Sequence, residues 1–240
     1  DADDVMLSVQ DDDETLTIYD HKNDLRLVRR RLDGLLRVLA LPDGCLARTK
    51  TRGLRVSKTG AEQRLGEEIQ HIAVHRTGFL VGTRDRLTRH DLTGRKLGED
   101  RIPSGVSSFT MVGDKLILGF RDGSLEWHRD RDRSNQRVFA DTPSSPVVAL
   151  EAGPLNTVIA GYANGELGLW SADRGVRLDR WRLHGPVRHL VLSGDRLYAA
   201  SDLGDHRVVQ LRAYRAPYCA LLTEIWRRVP TRWESDHPTL

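Results

Sequence analysis

Two histidine pairs are the first residues in this sequence whose spacing could support chemistry. His71 and His75 are four residues apart, the spacing that places two zinc ligands on one face of a helix in some metalloproteases. The residues between them include no glutamate that could activate water, and they are typical of a strand rather than a helix. For the second pair, His184 and His189, hydrogen bonding to the backbone is the expected role. The sequence therefore predicts no metal site at either pair.

Other reactive residues also lack a catalytic context. The acidic run from Asp11 to Glu14 has no glycine for the sharp bend of a calcium loop, so we interpret it as a solvated turn. Cys45 and Cys219 have no metal-ligand or redox spacing, which favours a reducing compartment, with a disulfide between them as the alternative. No nucleophile elbow, P-loop or dinucleotide fingerprint occurs. We therefore expect no catalytic residue, no cofactor and no metal, and predict that the chain is not an enzyme.

A recurring hairpin is the element that organises the chain. Its clearest copy runs from Thr157 to Trp170 and turns at Asn164-Gly165, a dipeptide that readily takes the positive φ angles of a tight turn. Residues 115–127 repeat the pattern, with Gly119, an Asp-Gly corner and a final tryptophan. Weaker copies follow around residues 78–90 and 196–211, and two more lie near residues 5–20 and 45–56. The chain is thus a series of antiparallel hairpins.

The spacing of these hairpins predicts a β-propeller. The first apolar residues after the six turns are separated by 38, 33, 38, 42 and 41 residues, the markers being Leu16, Leu54, Leu87, Leu125, Leu167 and Val208. An interval near ~40 residues with four short strands is the pattern of a propeller blade. An inner strand is predicted before five of the hairpins, at residues 35–39, 71–74, 106–110, 147–150 and 187–191. Charged outer strands are predicted at residues 25–29, 137–139 and 177–181.

The chain resembles a degenerate bacterial WD-repeat (WD40-like) propeller. The matching residues are the Asp122-Gly123 and Asn164-Gly165 corners, Trp127 and Trp170 after them, and His184-Gly185-Pro186 before the next strand. No hairpin carries the literal Trp-Asp pair, and Tyr19-Asp20 is the nearest version. The hydrogen-bond network that the family builds on that pair is therefore not carried over to any residues of this chain.

From these patterns we predict an all-β fold with four-stranded antiparallel blades, six to seven in number, over residues 1–213. Residues 214–240 are predicted to form a second region with a short helix over residues 216–230, because Leu222, Ile225, Trp226 and Val229 form an apolar stripe. We expect this helix to pack on the propeller, and the alternative is a docking element for another domain. The tail from Trp233 to Leu240 is expected to be irregular. We expect either more chain or a partner's strand to complete a seventh blade.

Composition is typical of a soluble globular chain. Charged residues make up 30% and hydrophobic residues 39% of the 240 residues, and no apolar run approaches the ~20 residues of a membrane helix. The net charge of +3 is too small for a steering field. The chain opens with Asp1-Ala2-Asp3-Asp4, without a secretory signal or an initiating Met, so we expect a cytoplasmic protein that is a trimmed or processed product or the tail of a longer polypeptide.

The function predicted from these features is binding, because a propeller presents loops on a rigid scaffold. We expect a non-enzymatic protein-protein interaction or sensor module, the C-terminal propeller of a larger bacterial signalling or defence protein, as the resemblance implies. Its partner is expected to be a protein or peptide, including an upstream domain of the same polypeptide, and the site residues that bind it are unknown. One alternative is an enzyme with inward-facing Asp, Glu or His side chains at the propeller mouth. The other is a nucleic-acid platform, less favoured, on a stripe formed by Arg26, Arg29, Arg52, Arg55, Arg84 and Arg86.

Overall fold

Antiparallel strands make up nearly all of the regular structure. A computed structural model describes residues 6–10, 14–20, 23–75, 77–129, 132–214, 223, 227, 232–234 and 237–239. In chain order its strands are β1 (Met6–Gln10), β2 (Thr15–Asp20), β3 (Leu25–Arg31), β4 (Leu35–Leu41), β5 (Gly44–Thr49), β6 (Arg52–Ser57), β7 (Glu62–Glu67), β8 (His71–His75), β9 (Gly78–Gly82), β10 (Arg86–Asp91), β11 (Lys96–Arg101), β12 (Val106–Val112), β13 (Lys115–Phe120), β14 (Leu125–Arg129), β15 (Asp132–Val138), β16 (Val147–Ala152), β17 (Thr157–Tyr162), β18 (Glu166–Ser171), β19 (Arg177–Arg182), β20 (Val187–Ser193), β21 (Arg196–Ser201), β22 (His206–Gln210), β23 (Arg232–Glu234) and β24 (His237–Thr239). A 3-10 turn, Arg212–Tyr214, follows β22.

The strands form a five-bladed propeller. Blade I is β4–β7, blade II is β8–β11, blade III is β12–β15, blade IV is β16–β19 and blade V is β20–β22. The first four blades have four strands each, and blade V has three among the described residues. The inner strands β4, β8, β12, β16 and β20 pack side by side in chain order and together line one channel. The predicted blade architecture is therefore confirmed.

The predicted number of blades, six to seven, was wrong. Each of the six hairpins was predicted to form one blade, but the first hairpin belongs to the three-stranded sheet β1–β3. The amide of Leu32 after β3 donates to the carbonyl of Glu14 before β2, as Ile102 after β11 donates to Asp85 before β10. The three strands thus correspond to the second, third and fourth strands of a blade, and β1 packs on β4. Counting turns could not reveal that this sheet has no described inner strand.

The repeated glycine of the hairpin lets neighbouring blades approach closely. Gly161 on β17 faces Val187 at the start of blade V, and a Cβ built on Gly161 would lie 2.4 Å from a Val187 methyl carbon. Gly119 faces Val147 in the same way, at 2.6 Å from the corresponding atom. Since normal carbon contacts are about 3.5–4.0 Å, any larger side chain would push the blades apart. The repeated glycine is therefore required by the packing between blades and not by the shape of a turn.

The two predicted corners have the expected turn chemistry. Gly123 and Gly165 have φ angles of 95° and 83°, the left-handed region that glycine occupies without steric cost. The carboxylate of Asp122 accepts a hydrogen bond from the Ser124 amide at 2.9 Å, and the Asn164 side chain accepts one from the Glu166 amide at 3.0 Å. Each corner is therefore closed by its own side chain as well as by its backbone.

Both predicted tryptophans are core residues. Trp170 is fully buried, and its indole Nε1 donates to the carbonyl oxygen of Ala140 at 2.9 Å. Trp127 is buried too, but its Nε1 has no hydrogen-bond partner among the described residues. They pack in one cluster with Tyr162, Val147 and other residues of blades III and IV. Their role is to join adjacent blades.

The C-terminal region differs from the prediction. The predicted helix lies almost wholly outside the described residues, which include only Thr223 and Arg227 of its length, both exposed. Both of these residues have helical backbone, and the rest of the predicted helix lies outside the described residues. The tail expected to be irregular contains the hairpin β23–β24, in which Trp233 pairs with Pro238. No helix among the described residues has the length and apolarity needed to cross a membrane.

Candidate functional site

A cavity of about 370 Å³ opens where the inner strands begin, and we call it the mouth. Its lining comes from the starts of the inner strands and from residues on or after the second strands of blades I and III. The lining residues are Leu36, Arg37, Arg48, Gln70, His71, Ser107, Arg121, Pro146, Val147, Val148, Arg188 and His189. The mouth thus collects side chains from all five blades.

A β-bulge at the start of four inner strands shapes this lining. The register with the second strand shifts after Leu35, Val106, Val147 and Val187 in blades I, III, IV and V. The residues inserted by the shifts are Leu36, Ser107, Val148 and Arg188, and all four line the mouth. Bulges redirect a side chain from the plane of the sheet, which explains why the same strand position reaches the cavity in each of these blades.

Four arginines are the charged residues that distinguish the mouth. Arg37 and Arg188 lie on the inner strands of blades I and V, and Arg121 directly follows β13 in blade III. Arg48 lies on β5, where pairing with the inner strand aligns it with Gly119 of blade III. Its Nη1 donates to the carbonyl oxygen of Gln70 in blade II, whereas its Nε is buried and has no partner among the described residues.

One acid lies in the channel beyond the mouth. A second cavity of about 410 Å³ continues along the inner strands, shares Arg37 and His71 with the mouth, and has a largely apolar lining that contains Glu151. Burial raises the pKa of Glu151 to about 7, and the positive charge of Arg37 opposes that rise. The acid is therefore close to half ionised at neutral pH.

The two histidines of the mouth are held neutral. Burial, followed by the charges of Arg48, Arg37 and Arg121, lowers the pKa of His71 to about 4. Burial and the neighbouring Arg188 also lower the pKa of His189. Neither histidine therefore adds a positive charge at pH 7.

The structure separates the residue pairs that the sequence singled out for metals and thiols. His71 lines the mouth, while the Nδ1 of His75 lies 3.3 Å from the hydroxyl of Thr77, with which it shares a hydrogen bond. At His184 the main-chain amide donates to the Asp205 carboxylate at 2.7 Å, which does not test the hydrogen bond to the backbone predicted for the histidine itself. Within the described ranges no group of three or more His, Cys, Asp or Glu could hold a metal ion. Cys45 is a buried free thiol whose pKa burial raises to about 12, and Cys219 lies outside the described residues.

The enzyme alternative predicted acids and histidines converging on the axis. Glu151, His71 and His189 do line the channel and its mouth. No hydrogen bond joins Glu151 to either histidine in the part of the chain that the structure describes, so they do not form an acid–base relay. Burial brings the pKa of Glu151 to about 7, the range of a general acid or base at neutral pH.

The arginine stripe of the nucleic-acid alternative is partly neutralised. Arg55 pairs with Asp43 at 2.5 Å and donates to the carbonyl of Leu92, and Arg86 pairs with Glu99 at 2.8 Å. None of the six arginines of that stripe lines the mouth. The basic cluster on the propeller axis is a different set of residues.

Sequence reasoning missed all four mouth arginines and Glu151. Two signals could have indicated them. Arg48 replaces the small residue that the aligned strand position has in the blades with the strongest repeat, Gly119 and Gly161. Arg37 interrupts a predicted inner strand that is otherwise apolar, and Arg188 with His189 interrupts another. Only the structural alignment of the blades shows that these arginines line the same cavity.

Comparisons with known proteins support the fold and nothing narrower. No protein family and no curated protein matches the chain. Among solved structures it is similar to the computationally designed protein Ika8, with a TM-score of 0.60 and 17% identity over 86% of this chain and 68% of that one. It is similar to BamB from Moraxella catarrhalis, with a TM-score of 0.59 and 18% identity over 85% and 69% of the two chains.

A third similar structure is Hsv2 from Kluyveromyces lactis, with a TM-score of 0.61 and 14% identity over 87% of this chain and 72% of that one. BamB and Hsv2 are β-propellers, so the propeller fold of this chain is shown. Membership of the WD-repeat family stays a prediction.

Proposed function

We propose that this chain is a non-enzymatic interaction module that binds a protein or peptide partner at the mouth of its channel. The propeller fold fits a protein-interaction module in general, because it presents loops and a channel opening on a rigid scaffold. The observation that carries the proposal is the mouth itself, a concave cavity of about 370 Å³ in which apolar and cationic side chains from separate blades converge.

The composition of the mouth favours binding over catalysis. Leu36 and Val148 are 44% and 38% exposed at its edge, so apolar surface is available to a partner. The charged side chains that line it are arginines, which supply fixed hydrogen-bond donors and cannot act as bases at neutral pH. Such a lining recognises a ligand more readily than it transforms one.

The wider setting follows from resemblance alone. In this proposal the propeller is a sensor within a larger bacterial signalling or defence protein of the cytoplasm, and its partner is another protein or an upstream domain of the same polypeptide. Residues of other domains would supply any chemistry.

A variant with a bulky side chain in the mouth tests the proposal. A phage library of random 12-residue peptides is selected on the immobilised wild-type chain, and the enriched peptides are measured by fluorescence polarisation. Val148→Trp places a large ring in the mouth, and Val138→Trp adds the same ring to an outer strand, at a valine that is 60% exposed. We expect the peptides to lose binding to V148W and to retain it with V138W. Equal binding to all three proteins, or no enriched peptide, would contradict the proposal.

A further inference from the structure

The mouth gathers positive charge from residues far apart in the sequence. Arg37 and Arg48 come from blade I, Arg121 from blade III and Arg188 from blade V, and all four line the same cavity. Chains of this composition usually place like charges apart on the surface, where water screens them. Their convergence in a concave site is therefore a feature that requires an explanation.

The negative charges near the mouth do not balance these four. Arg188 lies 3.4 Å from Asp202 at the rim, where both side chains are largely exposed. Glu151 lies deeper in the channel and makes no ion pair within the described part of the chain, and at its raised pKa it is only partly ionised. Arg37 and Arg121 likewise make no ion pair with any described residue. Four cations thus face at most two carboxylates, and His71 and His189 are neutral.

A second basic cavity shows how the same chain neutralises arginines elsewhere. That cavity, of about 420 Å³, is lined by Arg30, Arg31, Arg52 and Arg64 together with Asp33 and Glu62. Arg30 pairs with Glu62 at 3.0 Å, Arg31 with Asp33 at 3.5 Å, and Arg64 with the nearby Glu67. Three of its four arginines therefore have an acid of their own, which the mouth arginines lack except at Arg188.

Burial makes this excess of charge unfavourable. It lowers the pKa of Arg37 and of Arg48. The charge of Glu151 opposes this effect at Arg37, whereas the charges of neighbouring arginines add to it in both cases. The buried Nε of Arg48 is a donor aimed at no acceptor among the described residues. An oxyanion in the cavity would accept from this donor and offset the repulsion, because guanidinium groups bind carboxylate and phosphate through paired hydrogen bonds.

We propose that the mouth binds an oxyanion of an acidic peptide, a side-chain carboxylate or a phosphate group, through Arg37, Arg48, Arg121 and Arg188. This inference rests on the proposed function and names the chemistry of its partner. A peptide fits better than a nucleic acid because the apolar side chains of Leu36 and Val148 border the arginines, and a peptide offers apolar neighbours beside its charged residue.

Synthetic peptide pools test the charge requirement. Nine-residue pools carry a fixed central residue, Glu, phosphoserine, Gln or Lys, between degenerate flanking positions, and a 12-nucleotide single strand is measured beside them. We expect the Glu or phosphoserine pool to bind at least about tenfold more tightly than the Gln pool, and binding to weaken as salt rises from 50 to 500 mM. If the phosphoserine pool binds more tightly than the Glu pool, the bound group is a phosphate. If the two pools bind with equal affinity, the mouth accepts carboxylates as well.

Arginine variants locate the site. Arg48→Gln and Arg37→Gln should each weaken binding of the acidic pool by about tenfold, the factor expected for one lost charge-assisted pair. Arg64→Gln, from the second basic cavity, is the matched control and should leave binding unchanged. Arg121 is exposed and has no side-chain partner among the described residues, so Arg121→Gln provides a variant that does not threaten folding. It should also weaken binding.

Glu151→Gln separates electrostatics from damage to the fold. At pH 8 the acid is ionised and competes with the ligand for the arginines, so its removal should strengthen binding of the acidic pool by about fivefold.

The inference is wrong if the Gln pool binds as tightly as the acidic pools, or if R37Q, R48Q and R121Q bind like R64Q. If peptides still bind and V148W still blocks them, the proposed function stands. If no peptide pool binds, the proposed function and this inference are both wrong. If the oligonucleotide binds more tightly than the peptides and the arginine variants lose that binding, the partner is a nucleic acid instead of a peptide.

Discussion

Replacing Gly161 by alanine should destabilise the contact between blades IV and V. A Cβ at this position would lie 2.4 Å from one Val187 methyl carbon and 2.7 Å from its Cβ, about 1 Å closer than carbon atoms normally approach. Overpacking of a dense core costs about 1–3 kcal/mol. For a chain of this size we therefore expect the melting temperature to fall by about 4–8 °C, taking 2 kcal/mol as the central value.

A double-mutant cycle identifies the cause of this loss. Val187→Ala removes the methyl groups that the new Cβ would meet, so G161A/V187A should be less destabilised than the sum of the two single variants by at least about 1 kcal/mol. Gly98→Ala is the matched control, because its Cβ would meet nothing closer than the Arg89 side chain at 3.7 Å. Denaturant unfolding of the four proteins of the cycle and of the Gly98→Ala control measures the free energies. An additive cycle, or a G161A protein as stable as wild type, would refute the interpretation of the repeated glycine.

Three further predictions concern the corners, the tryptophans and the channel acid. Gly165→Ala should cost about 2 kcal/mol more unfolding free energy than Gly204→Ala, because both have φ of 83° but only the Gly165 Cβ would clash, at 2.3 Å from a carbonyl oxygen; equal melting temperatures would contradict this. Trp170→Phe should cost about 1 kcal/mol more than Trp127→Phe, because only Trp170 loses an indole hydrogen bond, and chemical denaturation compares them. Burial raises the Glu151 pKa from 4.5 to about 7, so the folded state binds more protons and wild type should lose up to about 3 kcal/mol relative to Glu151→Gln between pH 5 and pH 8; a pH-independent difference would contradict this.

The strand pattern of the blades was predictable because it is local. Asn164 and Gly165 specify a tight turn by their own chemistry, and the structure closes that turn with the Asn164 side chain. The strand before the turn is a run of apolar and small residues, Leu167 and Leu169 alternate across Gly168 after it, and the same pattern recurs about every 40 residues. Each blade is thus encoded by residues close in sequence, which is why an all-β propeller could be inferred without coordinates.

The binding site could not be predicted in the same way. Arg37 and Arg188 belong to blades at the two ends of the ring, and nothing in their local sequence indicates that they share a cavity. Each by itself resembles an ordinary charged residue of a strand. Their convergence depends on the β-bulges and on the arrangement of five inner strands along one channel.

The amino-acid sequence alone determined the repeat, its corner residues and the place of Trp127 and Trp170 in it. Tertiary structure decided that the blades number five, that Arg48 lies where blades III and IV have glycine, and that burial raises the pKa of Glu151 to about 7. The physical reason is range. Turn and strand preferences act over a few residues, whereas burial and electrostatic coupling depend on distances that exist only after the inner strands have packed together.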